Sequence, residues 1–180
     1  MKKLLFDGLI LPPLTEPAQA SRRTVEDLAA AVHGAARRRL GRSLSIREVD
    51  AGSCNGCELE IHALGNAFYD LERFGFRFVA SPRHADVLLV TGPVTKNMRE
   101  ALERTYKATP DPKWVVAAGD CAANCGVFAG SYATVAGGVS AVIPVDLHIR
   151  GCPPSPEELL SGLLELLEAV EKKDSKTALV

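Results

Sequence analysis

With 180 residues, 47% of them hydrophobic and 24% charged, the sequence suits a single globular domain and excludes a disordered or low-complexity chain. A formal net charge of -1 excludes the broad basic field of a nucleic-acid-binding protein, although Arg22, Arg23, Arg37, Arg38, Arg39 and Arg42 crowd the N-terminal part. No apolar run approaches the roughly 18 to 20 residues that span a bilayer, so membrane association is expected only through partners or a short surface segment.

The opening MKKLLFDGLILPPLT starts like a signal peptide, but Asp7 interrupts the apolar run and Pro12-Pro13 ends it without a small-residue cleavage site. A cytoplasmic protein is expected, and there five cysteines point to metal binding or redox chemistry ahead of a disulfide framework. Residues 1–44 read as an extension: a proline-rich arm to about residue 20, then a helix over 22–41 with Val25, Leu28, Ala29 and Val32 on one face. The charged opposite face is either solvated or a docking surface for a partner subunit or lipid headgroups.

Residues 45–172 alternate strand and helix. Strands are predicted at 45–50, 76–80, 86–91, 114–118 and 142–146 from short β-branched or apolar runs. Helices are predicted over 55–74, with Ile61, Leu64, Phe68 and Leu71 on one face, and over 95–107, with Met98, Ala101 and Leu102. The last helix is marked by Ser155-Pro156-Glu157-Glu158, which combines an N-cap serine, a proline at the first helical position and a glutamate three residues after the cap. Its leucines run from Leu159 to Leu167, and residues 173–180 read as a flexible tail. The pattern predicts an α/β fold with an open, mostly parallel, flavodoxin-like sheet and helices on both faces.

Cys54 and Cys57 follow the first predicted strand, Cys121 the fourth and Cys152 the fifth. All three loops leave carboxyl ends, which share one edge in a parallel sheet, so thiols far apart in sequence converge there. Gly52, Gly56, Gly119 and Gly151 stand within two residues of these cysteines and allow close backbone approach. Two predicted helices begin beside Cys54 and Cys152, turning positive dipole ends toward an anionic cluster. Structural zinc sites pair two close Cys-x-x-Cys knuckles, whereas here only Cys54 and Cys57 are close, and Cys152-Pro153 is like the proline after a ferredoxin ligand. Iron–sulfur is therefore the preferred reading and a zinc-stabilised structural module the alternative. Cys125 competes with Cys121, since both lie in GDCAANCG; Cys121 is preferred as nearer the strand end, leaving Cys125 as a small, partly buried side chain.

The segments GSCNGCELEI, SPRHADVLLVTGPVT, GDCAANCGVF and IPVDLHIRGCPPSPEELLSGLL closely resemble the small subunit of energy-converting, membrane-bound [NiFe] hydrogenases, formate hydrogenlyase being the nearest type. The resemblance runs from about residue 46 to 167 and says little about the N-terminal extension. It implies that Cys54, Cys57, Cys121 and Cys152 ligate one proximal [4Fe–4S] cluster. It also implies a [NiFe] large subunit, ferredoxin-like Fe–S subunits and membrane-arm subunits as partners, on the cytoplasmic side of the membrane. The complex I subunit of the same superfamily normally has two adjacent cysteines in the first motif; here Asn55 follows Cys54, which resembles the hydrogenase branch, with the quinone-reducing type as the alternative. Cys125 stands where that family usually has glycine.

Further residues carry weaker expectations. Glu58 and Glu60 are either proton relays or acidic residues favoured in a first helical turn. Arg83 and His84 read as surface or interface groups, and Asp146 either fixes the Cys152 loop or caps a strand end. Gly92, Pro93 and Thr95 are expected to wall the cluster and touch the large subunit, with Thr95 as a helix N-cap. No Ser/His/Asp constellation, P-loop or Gly-x-Gly-x-x-Gly fingerprint is present, which leaves hydrolase, kinase and dinucleotide-binding readings without residues.

Overall fold

The computed structural model describes residues 25–177. The expected N-terminal arm, Arg22, Arg23 and the last three residues of the expected tail lie outside the described residues.

Among the described residues, five parallel strands form one sheet in the order β2-β1-β3-β4-β5: β1 (Ser45–Asp50), β2 (Arg77–Phe78), β3 (Val87–Thr91), β4 (Trp114–Ala118) and β5 (Leu147–Ile149). This is the flavodoxin-like order, with its reversal between β1 and β3. The helices are α1 (Val25–Leu40), α2 (Gly56–Ala63), α3 (Lys96–Ala108), a short α4 (Asp120–Asn124) and α5 (Pro156–Thr177).

Both faces of the sheet are covered, which is why β3 and β4 are buried along their whole length and almost wholly apolar. Val87 and Leu89 of β3 and Trp114 and Val116 of β4 join Leu28 and Val32 of α1, Ile61 of α2 and Leu160 and Leu163 of α5 in one core. The alternate residues Leu88, Val90, Val115 and Ala117 face a second core with Leu102 of α3, Val139 and Ile143. Each leucine buried on α5 contributes about 1.5–3 kcal/mol of apolar burial, and α5 begins with the expected reciprocal cap. There Ser155 N donates to Glu158 Oε2 at 2.8 Å and Glu158 N to Ser155 Oγ at 3.3 Å. The helix continues to Thr177, past the boundary expected at residue 172.

Two expected elements differ. The strand expected at 142–146 lies instead at Leu147–Ile149. Pro144 has no N–H for a ladder, and Val142 and Ile143 donate to Val139 O in a tight turn that delivers Ile143 to the core. Asp146 then aligns the strand start, accepting from Val115 N at 2.8 Å while its own N–H donates to Val115 O at 2.9 Å. The helix expected over 55–74 stops at Ala63, because Asn66 captures Phe68 N and Tyr69 N in a side-chain turn. Ile61, Leu64 and Leu71 are buried as their spacing predicts, but Phe68 beyond the turn is 76% exposed.

At the amino end of the sheet, buried Asp86 accepts from Arg42 Nη1 at 3.0 Å, from Arg42 Nη2 and from Ser45 N at 2.9 Å. This carboxylate ties the chain entering β1 to the start of β3. Asp86→Ala is expected to lower the unfolding free energy by about 1–3 kcal/mol, chiefly by orphaning the buried Ser45 N–H, since half-exposed Arg42 can turn to water, read as a lower urea midpoint; a change under about 0.5 kcal/mol would mean the tie is dispensable.

Candidate metal centre

The register of the sheet builds the site. Asp50 pairs with Thr91, Thr91 with Ala118 and Ala118 with Ile149, so four strands end level with one another. The loops that follow start from one line, and they carry Cys54 and Cys57, Gly92, Cys121 and Cys152.

Each loop is shaped by local chemistry. Asp50 Oδ1 accepts from Gly52 N at 2.7 Å and Ser53 N at 2.8 Å, folding the first loop back over β1. Asn55, in the left-handed region at φ 69°, then turns the chain into α2. Gly92 (φ +79°) presses against that loop; a β-carbon there would stand 2.7 Å from Ser53 N. Gly119 (φ +90°) lies under Cys57, whose Sγ a β-carbon would meet at 2.7 Å. The loops after β4 and β5 are stitched together by Gly119 N to Ile149 O and Asp120 N to Gly151 O, both 2.8 Å.

Cys54, Cys57, Cys121 and Cys152 line one small cavity of about 90 Å³, together with Ser53, Gly56, Gly92, Asp120, Gly151 and Pro153. A water molecule needs roughly 10–15 Å³ on this measure, so the space suits a guest larger than a single ion. Among the described residues no three Cys, His, Asp or Glu side chains are grouped as ligands for one metal ion. The four thiols thus surround a space without meeting at a point. Glycine backbone packed against the sulfurs of Cys57 and Cys121 leaves no room for further side chains on that wall. Soft thiol donors around an enclosed volume match an iron–sulfur cluster in chemistry and size class.

The electrostatics oppose free thiolates. Burial pushes the Cys57 thiol up to about 12, and the Glu58 carboxylate and the other three cavity cysteines act in the same direction. Burial likewise raises Cys121, partly offset by the backbone N–H of Val127. A multiply charged cationic guest reverses this balance by drawing the thiols into their anionic form. Asp120 is held low by its hydrogen bond from Arg150 and by the Gly151 N–H.

The remaining singled-out residues divide. Gly56, Gly92 and Pro153 line the cavity; Thr95 and Pro93 do not appear on its wall. Thr95 occupies the N-cap position of α3 without a side-chain cap bond and packs its methyl group and hydroxyl against Gly52. Cys125 is buried away from the cavity, its Sγ 3.2 Å from Val135 O. Glu58 is 5% exposed with both carboxylate oxygens unpartnered, while Arg83 and His84 are exposed. Sequence reasoning passed over Ser53, Asp120 and Arg150. Asp120 was legible as a neighbour of Cys121, but its pairing with Arg150 appears only once β4 and β5 are adjacent. A larger groove of about 400 Å³ between α1 and α5 is rimmed by Glu157, Glu158, Glu165 and Glu168 and has no thiol on its wall.

Fold and site together define an open parallel α/β domain with a four-thiol cavity at the carboxyl edge of its sheet. The family described as "NADH ubiquinone oxidoreductase, 20 Kd subunit" matches residues 54–166, and the chain belongs to this family of oxidoreductase subunits. It is 49% identical over 133 residues to the probable membrane-bound hydrogenase subunit mbhJ of Pyrococcus furiosus, covering 74% of this chain and 79% of that one. It is 42% identical over 150 residues to formate hydrogenlyase subunit 7 of Escherichia coli, covering 83% of this chain but 58% of the longer relative. Among solved structures, a chain of the membrane-bound sulfane sulfur reductase, an archaeal respiratory membrane complex, superposes with a TM-score of 0.65 at 37% identity, covering 79% of this chain and 76% of that one. Among the described residues no helix is long and apolar enough to cross a membrane.

In metal-free protein at pH 8, alkylation of Cys57 by iodoacetamide is expected to be on the order of a hundredfold slower than that of free cysteine, because little thiolate exists until the pH approaches its raised pKa. Peptide mass spectrometry over a pH series measures this; a rate equal to that of free cysteine would contradict the buried, repulsive setting.

Proposed function

We propose that this chain is the electron-transfer subunit of a membrane-associated [NiFe] hydrogenase complex and carries one [4Fe–4S] cluster on Cys54, Cys57, Cys121 and Cys152. The observation that carries the reading is the cavity itself: four of five cysteines, from three loops distant in sequence, line one enclosed space, and the fifth does not. The hydrogenase assignment is supported by the two hydrogenase-type relatives.

When bound, the cluster supplies one-electron exchange without proton chemistry of its own. The chain's residues provide the rest. Cys54, Cys57, Cys121 and Cys152 would hold the iron as thiolates, and the glycines packed against Cys57 and Cys121 would keep those two sulfurs close to backbone. Exposed Cys54 and Cys152 mark the side that opens outward, toward the large subunit that holds the nickel–iron centre and, further on, ferredoxin-like and membrane-arm subunits. The complex sits on the cytoplasmic side of the membrane through those partners. Burial and hydrogen bonds to sulfur tune the potential.

Single Cys→Ser replacements at 54, 57, 121 and 152, purified without oxygen, are expected each to lose most of the iron, acid-labile sulfide and reduced-state paramagnetic signal. Cys125→Ser is expected to retain all three. A Cys121→Ser protein with a full signal would overturn the ligand set, and a colourless wild type with one zinc and no sulfide would establish the structural-zinc alternative. Nickel in the co-purifying large subunit is expected; a nickel-free, quinone-reducing partner would instead favour the complex I type.

A further inference from the structure

Beyond the last paired residues of β4 and β5, the two loops that bring Cys121 and Cys152 together share one charged contact. Asp120 precedes Cys121, and Arg150 stands two residues before Cys152. Arg150 Nε donates to Asp120 Oδ1 at 2.5 Å, and Gly151 N approaches the same oxygen at 3.4 Å. Asp120 N returns a bond to Gly151 O at 2.8 Å. Asp120 also stands on the wall of the four-thiol cavity. A carboxylate at that wall adds negative charge where anionic sulfurs must gather, and the guanidinium cancels it.

We propose that Asp120 and Arg150 form a charged clasp that holds the Cys121 and Cys152 loops at their working separation and sets the charge felt by the metal cluster between them. The inference rests on the cluster reading and goes beyond it in assigning positioning residues. Both side chains are partly exposed, Asp120 32% and Arg150 64%, and an ordinary surface ion pair of this kind does little for stability. The clasp is therefore distinguished by its effect on the cluster, and stability alone does not test it.

The test uses the full chain with its co-purifying subunits, loaded with cluster and kept free of oxygen, as wild type, Arg150→Gln, Asp120→Asn and the double variant. Two readouts apply: the cluster's midpoint potential by redox titration followed by electron paramagnetic resonance, and the rate of iron loss to an excess of chelator. Arg150→Gln bares a negative charge, favours the oxidised cluster and is expected to lower the potential; Asp120→Asn leaves an unbalanced positive charge and is expected to raise it. The double variant is expected to return close to the wild-type potential. Iron loss in each single variant is expected to be about tenfold faster, the scale typical of lost outer-shell support. Unchanged potentials, or shifts of the same sign in both single variants, would overturn the clasp while leaving the cluster reading intact. A wild type without iron and sulfide would overturn both.

Discussion

The level ending of β1, β3, β4 and β5 is the constraint on which the rest depends. Parallel hydrogen bonding fixes Asp50, Thr91, Ala118 and Ile149 in one row, and a slip of one residue in any pairing would turn the strand's buried side chains to the wrong face. Because β3 and β4 are apolar on both faces and buried in two separate cores, the register is held from both sides. The site inherits that rigidity. Its sulfurs sit three to seven residues beyond anchored strand ends, in loops closed by Asp50, Gly92, Gly119 and the Asp120–Gly151 bonds.

Around this frame the energetics run against thiolates gathered without a counter-charge. Buried sulfur, a carboxylate at Glu58 without a partner and four cysteines facing one volume all disfavour negative charge. Buried polar groups are normally satisfied in folded proteins, and such a concentration of unfavourable interactions supports the proposed cluster site. The proposed metal–sulfur cluster would ease the conflict among the sulfurs, since its cationic core would turn mutual repulsion between thiolates into shared ligation.

Most of the fold was legible because hydrophobic periodicity and burial coincide: β1, β4, α3 and the start of α5 lie within a residue or two of their expected bounds. The misplacement of β5 came from reading VIPVD as a strand on composition, when Pro144 and the turn closed on Val139 O delay the pairing to Leu147–Ile149. The shortened α2 turned on Asn66, whose side-chain turn competes with helix locally and leaves no mark in the apolar spacing. Of the site, the cysteines and flanking glycines were visible from loop position alone. The packing of Thr95 on Gly52 and the Asp120–Arg150 contact were not, since each joins residues whose adjacency depends on strand order. The separation of Cys125 from the cavity likewise follows from where α4 ends, with Cys125 at φ 69° turning its sulfur toward Val135.

The chain belongs to a family of oxidoreductase subunits, and the electron-transfer role proposed for it depends on the metal cluster. The most direct measurement is anomalous X-ray diffraction at the iron edge from crystals grown and frozen without oxygen. A compact iron peak is expected inside the cavity, within bonding distance of the sulfurs of Cys54, Cys57, Cys121 and Cys152. A cavity without iron signal, a peak only at the zinc edge, or iron bound by Cys125 in place of Cys121 would contradict it.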